Sequence, residues 1–362
     1  MFMHNRIKNE KMNRELTFSQ ALREAIEQAM DTNPDVFVIG LGVTDPNGIF
    51  GTTLGLDKRF PSNRVFDMPV SENAMTGVAV GAAINGMRPL MVHQRSDFML
   101  MAMDQIINNA AKWYYMYAGQ KSVPLTIRTI VGRGWGQGPQ HSQNFQAIFA
   151  HIPGLKVITP TTPYEAKGLL IGSIEENNPV IFIEHRWLFD QRGHVPEEYY
   201  SLPLGKAHIM RPGNDISIIT NMEMAVQANH VAEKLEKHNV SVEVINLCSI
   251  KPLDEKAILE TVTKTGHLLI IDSGWTGFGV SAEISALVAE KGFDFLKTGI
   301  RRIGLPDAPV PTSPGLSKYY YPSEAEICRT IAEILDIDIN FIESEFSEVV
   351  NDVPDKLFHG PF

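Results

Sequence analysis

The chain reads as an α/β protein of two domains, each a mostly parallel sheet flanked by helices. Three observations lead there. Short apolar runs bounded by turn residues alternate with helical periodicity along the chain. The alternation breaks once, in the charged, Gly- and Pro-rich stretch Asp190–Gly205, and then resumes. A length of 362 residues with 44% hydrophobic side chains is enough for two cores.

The elements follow in order. TFSQ has the form of a capping box, with Thr17 at the cap and Gln20 three residues on, and Leu22, Ala25, Ile26 and Ala29 recur at helical spacing behind it. VFVI, ending at Gly40, reads as a buried strand, and Leu90–Val92, Pro124–Val131, Leu155–Ile158 and Pro179–Glu184 read the same way. Asp104–Tyr115 reads as a helix, and Pro163 opens another. Past the break, strands are expected at Asp215–Thr220, Val240–Ile245, Leu268–Asp272 and Ile300–Gly304. Helices are expected at Glu223–Glu236, Leu253–Thr263, Val280–Ala289 and Ser323–Leu335. The resulting division is a disordered lead-in (1–15), a first domain (16–190), a linker (191–205), a second domain (206–336) and an acidic tail (337–362).

Composition excludes several classes. The net charge is -10 with no basic runs, which argues against a nucleic-acid footprint. The polar N-terminus has no signal-peptide stretch, and no apolar run is long enough to span a bilayer. Two cysteines, Cys248 and Cys328, match no metal or disulfide framework, so a reducing, cytoplasmic setting is expected.

Three segments carry chemistry. In RVFDMPVSENAMTGVAVGAAINGMRPL, Glu72 follows Ser71 at the start of a Gly/Ala-rich helix. A carboxylate there is favoured by the helix dipole and serves equally well as a plain cap. The small residues behind it suit close packing against another helix or a partner chain. In HQRSDFMLMAMDQIINNAAKWYYM, Phe98 lies just past a strand end, where α/β sheets bind ligands and an aromatic can stack on a flat ring; a core role is the alternative. In the third, the glycine-rich GRGWGQGPQ leads to His141, which suits a cleft loop presenting an acid–base group as well as an ordinary loop histidine.

Taken together, RVFDMPVSENAMTG, MDQIINNAAKWYYM, QHSQNFQAIFAHIPGLKVITPTTPYEAKGLL, NNPVIFIE, VSVEVINLCSIKPLDEKAI and IGLPDAPVPTSPGL resemble, in order over Leu16–Leu335, the β subunits of 2-oxo acid dehydrogenase decarboxylating components. That family (pyruvate, branched-chain and acetoin types) belongs to the transketolase-like thiamine-diphosphate superfamily. The resemblance implies a pyrimidine-binding domain followed by a transketolase C-terminal-like domain. It places Glu72 as the glutamate that hydrogen-bonds the cofactor's pyrimidine and activates it for decarboxylation and acyl transfer to lipoamide. Phe98 is implied to stack on the pyrimidine, with Ser71 and Gln94 beside it, and His141 to transfer protons near the substrate. The GDG segment that holds diphosphate and Mg2+ is absent from the sequence. An α chain is therefore expected to supply it in an α2β2 assembly, with a lipoyl acyltransferase as a further partner. A K+ site on the backbone of Leu125, Ser173, Glu176 and Asn178 is also implied, an ordinary helix end and turn being the alternative.

The chain departs from the family pattern in three places. Leu41 and Gly42 stand where an acidic pair is common. Arg95, beside His93 and Gln94, stands near the pyrimidine; it suits an anionic substrate, or pairs with Asp97. The tail extends past the usual end. These departures favour an alternative reading, a two-chain transketolase-like carboligase without a lipoyl partner.

Overall fold

The computed structural model describes residues 14–338, apart from 135, together with 345–346. The chain divides into two units. One holds residues up to 132 and 149–204; the other holds 133–148 and 205 onward.

In the first unit, strands β2 (Val36–Gly40), β3 (Val65–Asp67), β4 (Arg88–His93), β5 (Thr126–Val131), β6 (Lys156–Ile158) and β7 (Val180–His185) lie in the order β6-β7-β5-β4-β2-β3. All of these pairings are parallel. Strands covered on both faces need no polar alternation, and VFVIG and VIFIEH are buried throughout. Helix α1 (Phe18–Thr32) starts at the Thr17/Gln20 capping box and buries Phe18, Leu22, Ala25, Ile26 and Ala29 on one stripe. It packs against α3 (Pro163–Glu175), which has its own Thr162/Glu165 capping box. Helix α2 (Glu72–Ile84) lies over β4, burying Thr76, Ala79, Val80 and Ala83.

Two buried cations in this unit are paired with carboxylates. Arg128 and Glu184, side by side on β5 and β7 and fully inaccessible, form two bonds of 2.5 and 2.8 Å. Lys167 of α3 donates to Glu24 at 2.7 Å and to the carbonyls of Pro196 and Glu198 at 2.7 and 2.9 Å. That ammonium ties the chain after β7 back onto the helices.

In the second unit, β9 (His208–Arg211), β10 (Ile216–Thr220), β11 (Val242–Asn246), β13 (Leu268–Trp275) and β14 (Arg301–Leu305) lie in the order β14-β13-β10-β11-β9, with only β9 antiparallel. A short strand β12 (Ser249–Lys251) follows β11. Ile218, Val244 and Ile271 of the sheet pack with Val231 and Leu235 of α4 (Met222–Glu236) and Ile327 and Ile331 of the C-terminal helix Glu324–Leu335.

Some expectations look different here. The stretch read as a linker is partly structured: Arg192–His194 (β8) pairs antiparallel with Glu15–Thr17 (β1). Residues 133–148 group with the second unit. The expected Asp104–Tyr115 helix is wide-turned over Asp104–Ala110 and α-helical over Ala111–Met116. Of the lead-in, residues 1–13 lie outside the described residues, while Arg14 pairs with Glu24. Most of the tail also lies outside them, but Phe346 is buried in the second core beneath Lys234, whose ammonium is 4.7 Å from the ring.

Candidate functional site

The first unit builds its site where the strand order reverses. The chain runs from β2 outward to β3 and returns to β4 on the other side of β2, so the carboxyl ends of β2 and β4 flank a crevice. Gly40 ends β2 so close to β4 that a side chain there would collide with the Val92 carbonyl. The turn after it needs Gly42, which has φ +75° and whose Cβ would lie 2.8 Å from both Gln94 Nε2 and Asp45 Oδ2. Gln94 Nε2 donates to the Leu41 carbonyl at 3.0 Å, spanning the crevice. The end of β3 is tied in by Asp67, which accepts from Val43 N and Thr44 Oγ1, each at 2.8 Å.

Five residues past β3, Glu72 is the first residue of α2. It is half-buried, and its carboxylate has no hydrogen bond or ion pair among the described residues. Ser71 is the N-cap, exposed, with no side-chain cap bond. Beyond Glu72 the outer face of α2 is lined by small residues: Ala74 and Val78 are exposed, and Gly81 has open space around it. Gly77 faces Gln105 of the wide-turned segment.

The end of β4 supplies His93, Gln94, Arg95 and Phe98. His93 is buried, and its Nε2 has no hydrogen-bond partner among the described residues. Burial pushes its pKa down to about 4, so the ring is neutral. Arg95 is buried too, with Nη1 donating to the Gln94 carbonyl at 2.7 Å and the guanidinium 5.2 Å from the Phe50 ring centroid. Burial lowers its pKa to about 10, partly offset by the Asp97 carboxylate. Phe98 is half-buried on the short helix Ser96–Met99. The first unit thus brings Ser71, Glu72, His93, Gln94, Arg95 and Phe98 to the carboxyl end of one parallel sheet.

His141 stands elsewhere. It ends the turn Gly138–Gln140 in the loop that belongs to the second unit. Gly136 and Gly138, with φ +66° and +63°, bring that loop against Thr312 so closely that side chains would collide there. Leaving the loop, Asn144 Nδ2 donates to the Ser273 carbonyl at 2.9 Å and Gln146 Nε2 to Asp272 Oδ1 at 2.8 Å. Entering it, the Arg133 guanidinium lies 3.6 Å from the Tyr321 ring centroid. Sequence reasoning missed Arg133, Asn144, Gln146, Glu223 and Asp272. The amide run QHSQNFQ was visible in the sequence, but the acid that Gln146 meets lies 126 residues further on.

The backbone positions implied for K+ lie at the far edge of α3. The Ser173 carbonyl accepts from Thr126 Oγ1 at 2.9 Å, that of Glu176 from Arg88 at 3.1 Å, and that of Leu125 from Val180 N at 3.0 Å. Each carbonyl has two lone pairs, so those of Leu125 and Glu176 retain one for a cation.

The family described as transketolase, pyrimidine binding domain, matches residues 14–191, and transketolase, C-terminal domain, matches residues 205–327. A protein named acetoin:2,6-dichlorophenolindophenol oxidoreductase subunit beta, from Cupriavidus necator, is 41% identical over 87% of this chain and 96% of its own. The Bacillus subtilis protein of that name is 40% identical over 90% and 98%. The pyruvate dehydrogenase E1 component subunit beta of Rickettsia felis is 37% identical over 88% and 98%. A solved split-gene transketolase, described as an inactive beta4 tetramer, aligns with TM-score 0.71 at 19% identity over 90% of this chain and 99% of that one. This last likeness shows the fold alone. No described helix is long and apolar enough to cross a membrane.

Proposed function

The chain belongs to the transketolase-like family of E1-type β subunits that includes the pyruvate dehydrogenase and acetoin oxidoreductase β chains, and from that premise we propose that it is the cofactor-activating half of a two-chain thiamine-diphosphate enzyme acting on a pyruvate-like 2-oxo acid in the cytoplasm. The observation that carries the proposal is Glu72. A half-buried carboxylate without a partner among the described residues, at a helix start beside a sheet's switch point, is arranged to receive a donor from a ligand.

The residues present fit the pyrimidine half of the cofactor. Phe98 offers a flat apolar face, Gln94 an amide across the crevice, Ser71 a hydroxyl beside Glu72, and Gly42 the space a side chain would fill. When bound, thiamine diphosphate supplies a carbon acid that adds to a carbonyl and accepts the electron pair left by carbon dioxide. Glu72 holds a proton against the pyrimidine ring nitrogen and so sets its tautomer. His93, kept neutral, and Arg95, held over Phe50, form the substrate side of the crevice. His141 moves protons to and from the substrate oxygen. A partner α chain supplies the Mg2+ and diphosphate groups, giving α2β2, and the open small-residue face of α2 suits a partner helix. Acyl transfer to a lipoyl acyltransferase completes the reading; of the carbonyls implied for K+, those of Leu125, Glu176 and Asn178 would hold it, that of Ser173 being taken by Thr126 Oγ1 and Glu176 N.

The test is native purification of the tagged complex, with and without Glu72→Gln. Expected are a GDG-bearing α chain, a lipoyl protein and decarboxylase activity lowered by about a hundredfold or more in the variant. An α chain without lipoyl protein moves the reading to a carboligase. Activity retained in Glu72→Gln refutes it.

A further inference from the structure

The second unit has its own switch point. From β10 the chain goes to β11 on one side and then to β13 on the other, so the carboxyl ends of β10 and β13 flank a crevice of the kind that takes ligands in doubly wound sheets. Here protein fills it. The Gln146 amide enters beside Gly274, where a Cβ would lie 2.9 Å from its Nε2, and donates to Asp272 Oδ1. Asn221 Nδ2 reaches the same oxygen at 3.3 Å, and although Asn221 is the N-cap of α4 its side chain makes no cap bond. Asn144 takes the Ser273 carbonyl on the same strand end, and Phe145 packs on Trp275 with ring centroids 6.1 Å apart. All of these side chains except Trp275 are nearly inaccessible.

We propose that Asp272 and Gln146 are positioning residues, which hold the loop carrying His141 in the crevice where such a sheet would otherwise bind a ligand. The inference rests on the functional reading above for the role of His141, and on the second unit's geometry for the anchoring. A buried carboxylate accepting from two amide side chains is a strong and directional tether, because the charge strengthens each bond and water cannot compete. Burial works against that charge, and the amide bonds support it. Burial raises the Asp272 carboxyl, with the bonds from Gln146 and Asn221 pulling the other way. Glu223, in the first turn of α4, is raised to about 8 by burial, with Arg133 opposing the shift and Asp272 adding to it. An acid pair and one arginine therefore sit beneath the loop, and Asp272 anchors its exit.

The experiment uses the assembled complex and two readouts. Hydrogen exchange of backbone amides in 136–146, measured without substrate, reports the loop itself. In Gln146→Ala we expect exchange there to rise about tenfold, the equivalent of one charge-assisted hydrogen bond, while β10 and β13 amides stay protected. Steady-state kinetics should show kcat lowered with KM little changed. Placed on a His141→Ala background, Gln146→Ala should lower kcat less than twofold further, since the group it positions is gone. The exchanged pair Gln146→Glu with Asp272→Asn keeps one amide and one carboxylate in contact and should restore both loop protection and kcat. Unchanged loop exchange in Gln146→Ala overturns the proposal. So do full additivity with His141→Ala, and a well-folded swap variant that recovers neither readout. A wild-type complex with no thiamine-dependent activity would sink the functional reading while leaving the exchange result to judge the anchoring.

Discussion

His93 offers a test of how completely the site's floor is closed to water. Its ring is buried at the end of β4 with Nε2 unsatisfied, and burial lowers its pKa from 6.5 to about 4. The folded protein therefore binds this proton less readily than the unfolded chain. Stability linked to His93 is intact above pH 6.5 and is lost as pH falls toward 4. The full effect of lowering it from 6.5 to about 4 is roughly 3 kcal/mol, of which roughly 2 kcal/mol is already lost at pH 5. In His93→Gln this dependence disappears, so the stability gap between the two proteins should shrink by about 2 kcal/mol between pH 7.5 and pH 5. Chemical denaturation of both complexes, run side by side at each pH and followed by backbone circular dichroism, reads the difference. Comparing the pair cancels every other titrating group. A gap that stays within about 0.5 kcal/mol over that range would show that His93 accepts its proton at no cost, and that the ring is not held in a dry, neutral state.

Two further perturbations separate framework from site. Glu184→Gln leaves Arg128 charged in a fully buried position with its carboxylate gone, and should cost about 3–5 kcal/mol in denaturation of the first unit; a loss under about 1 kcal/mol would mean that water reaches the pair. Gly42→Ala places a methyl 2.8 Å from Gln94 Nε2 on a left-handed backbone, costing about 1 kcal/mol in strain and displacing the amide. Thiamine diphosphate binding to the complex, read by fluorescence quenching, should weaken about tenfold, and unaltered affinity would remove Gln94 from the cofactor's surroundings.

The parallel strands were readable because burial on both faces turns them into continuous apolar runs, as in VFVIG and VIFIEH. The capping boxes at Thr17 and Thr162 mark helix starts by local chemistry alone. What escaped was set by distant partners. Strand β9, HIMR, is an exposed antiparallel edge with no alternation to notice. β8 exists only because β1 pairs with it across the sequence. The run QHSQNFQ looks like a solvated loop, yet Ser142, Asn144 and Gln146 are buried. The group that satisfies the Gln146 amide lies 126 residues further on. Local patterning has no access to such a bond.

Pairing also sorts structure from chemistry among the charged groups of the first unit. Arg128 meets Glu184, and Lys167 meets Glu24 and three carbonyls; in each case desolvation is offset inside the fold, which is what a framework requires. Glu72 breaks that pattern. Its helix buries four residues and presents small residues outward, while its carboxylate, half withdrawn from water at the helix start, meets no donor among the described residues. Simple helix capping would be served as well by a fully exposed acid. A half-exposed carboxylate with no partner among the described residues is open to a donor from water or from a ligand. A pyrimidine ring nitrogen that carries a shared proton is a donor of that kind, and it is the donor we propose for Glu72.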